Sequence, residues 1–172
     1  MSERYYDARD GKDRFRVQYP HMSGDYAVLD WEQGSLVALG YEDHALGMAE
    51  ALNAAVNPEV DELDLVTALR EVNPIHQWRV MEHLTYLVRA KMQEGFRPAI
   101  NTASLEKVDD KAAHRITEAL AVAVYPREVD SSINVLGLKL FENPNDALKI
   151  VPDEQKWRVS LMLARFFRQS LE

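Results

Sequence analysis

The stretch ALREVNPIHQWRVMEHLTYLVR, residues 68–89, decides how this chain reads. Its apolar positions Val80, Met81, Leu84, Leu87 and Val88 recur at steps of three and four, the spacing of one face of an α-helix. At its front stand Asn73 and Pro74. An asparagine oxygen caps orphan backbone N–H groups at a helix start, and proline suits the first helical position. The same order returns in ALKIVPDEQKWRVSLMLARFFR, residues 147–168. Laid over each other without a gap, the two stretches share Ala68, Leu69, Val72, Trp78, Arg79, Val80, Leu84 and Arg89.

A second pair of stretches keeps that order. EALNAAVNP at 50–58 matches EALAVAVYP at 118–126, with Leu52 falling on Leu120. The spacing between the two pairs differs, so a second copy carries an insertion before its last helix. Repetition at a fixed offset is a signature of architecture, although two copies make one pseudo-symmetric domain and not a solenoid.

Outward from these stretches, the remaining signals are mostly helical. A helix is expected from Glu42 to Val56, with Leu46, Ala49, Leu52, Ala55 and Val56 along one stripe. It stops at Asn57-Pro58, because proline disfavours helical geometry in the residue before it. Asp61 to Glu71 is the next, with Leu65, Val66 and Leu69 inward. The helix after Pro74 runs to Gln93 and ends at Gly95. Asp109 and Asp110 suit a helix start, where carboxylates meet the positive end of the dipole, and that helix reaches Val124. Residues 130–143 read as either strand or poor helix, since Gly137 weakens a helix there. From Asp153 to Ser170 the pattern is helical and apolar on more than one face. Such a helix is central in a core or covered by a second chain.

Ahead of the helices the period changes to two. Phe15, Val17 and Tyr19 alternate with polar residues, and Tyr26 to Trp31 and Ser35 to Leu39 are further strand candidates, joined by a turn at Gly34. Residues 1–12 are polar and expected to be loose. The chain thus predicts a mainly α fold in a single domain, 1–172. A β hairpin or three-stranded element occupies 1–40, and two duplicated helical units occupy 41–95 and 109–171.

Composition bounds the function. The 172 residues contain no cysteine, which excludes disulfides, thiolate metal sites and cysteine nucleophiles. The formal net charge is −8, and the densest basic stretch, Arg9 to Arg16, is interleaved with Asp10 and Asp13. Phosphate neutralisation needs a clustered basic surface, so no nucleic-acid partner is expected. The start of the chain has no apolar core of a signal peptide, and the apolar run Ala119 to Tyr125 is too short to span a bilayer. A cytoplasmic protein with no membrane partner is expected.

No motif names a chemistry. Gly-x-Ser-x-Gly, phosphate-loop, dinucleotide and His-Glu-x-x-His patterns are all missing. His76 and His83 share a helix face but stand about 10 Å apart along its axis, too far to share one zinc ion. Asp110, His114 and Glu118 share another face and read as a solvated surface. No catalytic residue, metal or cofactor is therefore expected.

These observations point to a non-enzymatic protein-interaction module: an adaptor, assembly factor or regulatory subunit. Its expected contact residues are Trp78, Arg79, Trp157, Arg158, Phe166 and Phe167, since tryptophan and arginine are enriched among binding hot spots. The apolar last helix suggests homo-oligomerisation. The alternative is a small-molecule- or metal-sensing domain, or an enzyme, with a pocket between the helical units drawing on His76, His83, Arg79 or Asp110.

Overall fold

The computed structural model describes residues 4–7, 13–19, 24–98, 108–124, 148–149 and 151–172. The fold is mainly helical with a small antiparallel sheet at its N-terminus. The sheet holds β1 (Arg4–Asp7), β2 (Phe15–Tyr19), β3 (Tyr26–Asp30) and β4 (Ser35–Gly40) in the order β1-β2-β3-β4. The three strands expected before Gly40 are its body. Arg4–Asp7, expected to be loose, pairs with β2 as a short edge strand, Tyr6 opposite Val17. Five α-helices follow among the described residues: α1 (Glu42–Val56), α2 (Glu62–Glu71), α3 (Gln77–Gln93), α4 (Asp110–Val124) and α5 (Lys156–Gln169). Residues 130–143 lie outside the described residues.

The chain divides into two compact units, 1–80 and 81–172. In the first, α1 packs on β2, β3 and β4 and against α2. Alternation along β2 puts Phe15 and Val17 inward, both fully buried. Burying such a side chain contributes about 1.5–3 kcal/mol. The stripe of α1 is turned from the expected one. Ala45, Met48, Ala49, Leu52 and Ala55 are buried, while Leu46 and Val56 are only half-buried. Asn53 explains the turn, because it too is buried. Its Oδ1 accepts from the Phe15 N–H at 2.8 Å and its Nδ2 donates to the Phe15 carbonyl at 2.9 Å. One amide thus satisfies both backbone groups of a buried strand residue, and the helix face must follow it.

Asp30 organises the hairpin between β3 and β4. Its fully buried carboxylate accepts two bonds from Arg14, at 2.9 and 3.0 Å. It also accepts from the backbone N–H groups of Glu32 and Gln33. A buried charge is tolerated when it is paired and hydrogen-bonded in this way. Gly34 closes the turn with φ +68°, a conformation that costs glycine nothing sterically.

In the second unit, Leu84, Val88, Ile116, Leu120 and Leu163 are fully buried. Arg89 ties α3 to the end of α4, its Nε donating to the Ala123 carbonyl. A cation there meets the negative end of the α4 dipole. Burial holds the Arg89 pKa below the ordinary arginine value. Asp109 caps α4, accepting from the Ala112 N–H at 2.7 Å. In α5, Val159, Leu161, Met162, Leu163, Phe166 and Phe167 are all buried. The apolar excess of this helix is therefore core of the single chain. No described helix is long and apolar enough to cross a membrane.

Candidate functional site

The two phenylalanines expected to be contact residues on α5 are not exposed anchors. Phe166 and Phe167 are each 4% exposed. Both side chains are covered by the chain itself. Trp78 and Trp157 are half-buried. Each carries its following arginine over the ring, Arg79 at 3.8 Å and Arg158 at 4.5 Å from the ring centroid. Arg158 also donates to the Gln155 side chain at 2.8 Å. Of these six residues only Arg79 is exposed. The two tryptophan–arginine pairs belong to different units, 1–80 and 81–172.

Around Trp78 and Arg79, the first unit assembles a polar cluster that spacing along the chain does not reveal. Asn73 ends the link from α2, and Pro74–His76 form a 3₁₀ turn that leads straight into α3. Asn73 Oδ1 accepts from the Ile75 N–H at 3.1 Å and caps that turn. Its Nδ2 lies 3.0 Å from His44 Nε2, in the first turns of α1. His44 Nδ1 lies 3.1 Å from His76 Nε2. The end of β4 abuts the same ring, for a Cβ built on Gly40 would stand 3.5 Å from His76 Nε2.

The cap determines where the protons are. Because Asn73 Oδ1 is engaged by Ile75, its NH₂ faces His44, and an NH₂ only donates. His44 Nε2 is then an acceptor, which places the His44 proton on Nδ1, aimed at His76 Nε2. Neutral His76 in turn carries its proton on Nδ1. The assignment follows from the hydrogen-bond network and orders the chain Asn73 to His44 to His76. Burial first, then His44 and Arg79, hold the His76 pKa below its usual 6.5.

Two large apolar side chains stand exposed beside this cluster. Tyr41 is 75% exposed and meets the His44 ring edge-on at 5.8 Å. Ile75, next to His76 in the turn, is 66% exposed. Elsewhere in the unit an open cleft of about 480 Å³ lies between the end of α1 and the start of α2. Glu50, Glu59, Asp61 and Asp64 line it, and Asp61 Oδ1 is engaged by the Asp64 N–H at 2.8 Å. Among the described residues no group of three or more histidines and carboxylates could hold a metal ion. His83 lies near Tyr86, ring centroids 5.9 Å apart, and the Asp110 and His114 side chains are exposed on α4.

No family model, curated protein or solved structure matches the chain. Spacing in the sequence singles out His76 but not its partner. His44 sits on another element, and nothing local to it marks the pairing. The one usable signal is Asn73-Pro74, a cap immediately ahead of a histidine.

Proposed function

We propose that this chain is a non-enzymatic protein-interaction module, an adaptor, assembly factor or regulatory subunit, and that a partner protein docks on the face around Tyr41 and Ile75. The observation that carries the reading is the exposure of these two side chains, at 75% and 66%, beside a fixed polar cluster. Tyrosine, tryptophan and arginine are the side-chain types enriched in interface cores and hot spots, and Ile75 adds exposed apolar area beside Tyr41. In the order Asn73 to His44 to His76, the imidazole donor not engaged within the cluster is the His76 Nδ1–H.

The test is a pull-down with the full chain and a Tyr41→Ser/Ile75→Ser variant. Substitutions at such exposed positions change stability by about 0.5 kcal/mol or less, so helicity should be kept. A protein retained by the native chain should fall at least tenfold on the variant. Recovery of the same proteins by both sinks the reading.

A second inference concerns origin. We infer that 68–89 and 147–168 descend from one duplicated segment. What supports it is burial at matched positions: Leu69 with Leu148, Val72 with Val151, Val80 with Val159 and Leu84 with Leu163 are each 2% exposed or less. In both segments a 3₁₀ turn leads into the tryptophan helix. Leu52 and Leu120, in the earlier matched pair, are both fully buried.

A further inference from the structure

The polar cluster has no room for an added proton. In the order Asn73 to His44 to His76, both imidazole lone pairs already accept a hydrogen bond. Protonating His76 on Nε2 turns an acceptor into a donor that faces the His44 Nδ1–H. His44 can yield only by moving its own proton to Nε2, where it meets the Asn73 NH₂. Relieving that contact requires the amide to turn over. Its NH₂ would then face the Ile75 N–H, and the cap on the 3₁₀ turn would be lost.

We propose that Asn73, His44 and His76 form a proton-operated latch: one proton taken up by the histidine pair opens it and uncaps the turn that carries Ile75 into α3. The bearing of this latch on partner binding rests on the interaction reading above, but the latch titrates without a partner, so the two fail separately.

The surroundings favour the closed, neutral state. Burial lowers the His76 pKa most; His44 from α1, whenever it is charged, and the Arg79 guanidinium from α3 lower it further. The end of β4 brings Gly40, which has no charge. The carboxylates of the first turn of α1, Glu42 and Asp43, are exposed, and Glu42 lies 3.4 Å from the Tyr26 hydroxyl. Among the described residues no carboxylate pairs with either imidazole, so none compensates an added charge. A metal ion at the pair is disfavoured by the same logic. Binding it at His44 Nδ1 would require a proton on Nε2, against the Asn73 NH₂.

The decisive variant is Asn73→Asp. Aspartate can still accept from the Ile75 N–H, and its second oxygen accepts from a His44 Nε2–H. The histidine pair can then hold an added proton beside the new carboxylate without losing the cap. Side-chain ¹⁵N NMR of the full chain reads both tautomer and titration. In the native chain His44 should carry its proton on Nδ1, and the Ile75 amide resonance should move with the midpoint of the histidine pair. In Asn73→Asp the His44 tautomer should reverse and the midpoint of the pair should rise by about one unit or more, as expected beside an opposite charge. A native His44 protonated on Nε2 overturns the proposal, and so does an unchanged midpoint in Asn73→Asp. Should that variant fail to fold, the native tautomer and the Ile75 amide still decide it.

Discussion

Residues 68–89 and 147–168 share Leu69 with Leu148, Val72 with Val151, Val80 with Val159 and Leu84 with Leu163, and bury all four pairs, yet they differ in what their leading turn can do. In the first, Asn73 caps the turn and His76 joins His44. At the matching places of the second stand Pro152 and Gln155, and Pro152 gives no side-chain cap. The helices differ too. Of the pairs Glu82/Leu161 and His83/Met162, only the second members are buried. Matching apolar positions therefore specify a shared scaffold. The polar positions decide that one segment leads into a hydrogen-bonded cluster and the other fills a core.

The equivalence of the two helices can be broken most forcefully at Phe166, which occupies the place of Leu87. Both are buried, at 4% and 2% exposure. Phe166→Ala should lower unfolding stability by about 3–5 kcal/mol and Leu87→Ala by about 2–5 kcal/mol, read from urea titrations. A loss under about 1 kcal/mol at Phe166 would show that its burial contributes little to the fold.

A middling effect is expected where α1 departs from α4. Asn53 bonds both backbone groups of Phe15, while Ala121 stands at the matching place in α4. Asn53→Ala leaves a buried donor and acceptor unpaired and should cost on the order of 2 kcal/mol or more. Ala121→Asn should cost roughly 0.7 kcal/mol or less, the difference in helix propensity. Equal losses would mean that Asn53 does not seat the helix on the sheet.

The smallest effect sharpens the contrast between the leading turns. The folded-state pKa of His76 lies below its usual 6.5, so the unfolded chain binds the proton more readily. Stability from this group is complete above about pH 6.5 and is lost as pH falls through that value toward the folded pKa. His76→Gln copies the residue of the second segment. Its melting temperature should vary less than that of the native chain between about pH 7.5 and 5.5. Parallel profiles would show that the histidine pair does not govern this window.

Much of the helical layout is legible in the sequence because its signals are local. The Asp61 cap, the stop at Asn57-Pro58 and Gly95 with φ +109° each act within one turn of the residue that causes them. The site is far less legible. Trp78 and Arg79 stand out in the sequence and lie near it, but Tyr41, His44 and Asn73 owe their roles to neighbours on other elements. The edge strand Arg4–Asp7 is hidden for a related reason. Its polar residues hold their place by pairing with β2, and no pattern inside the segment reports that.

By itself the sequence determined the periods, the caps and the turn residues, since hydrogen bonds and steric limits within a few residues set them. Only the tertiary structure decided that the apolar α5 is core, that Asn53 turns α1 toward β2, and that His44 meets His76. Those outcomes depend on which surfaces exclude water together and on donors meeting acceptors across distant parts of the chain. Neither is encoded in any one segment.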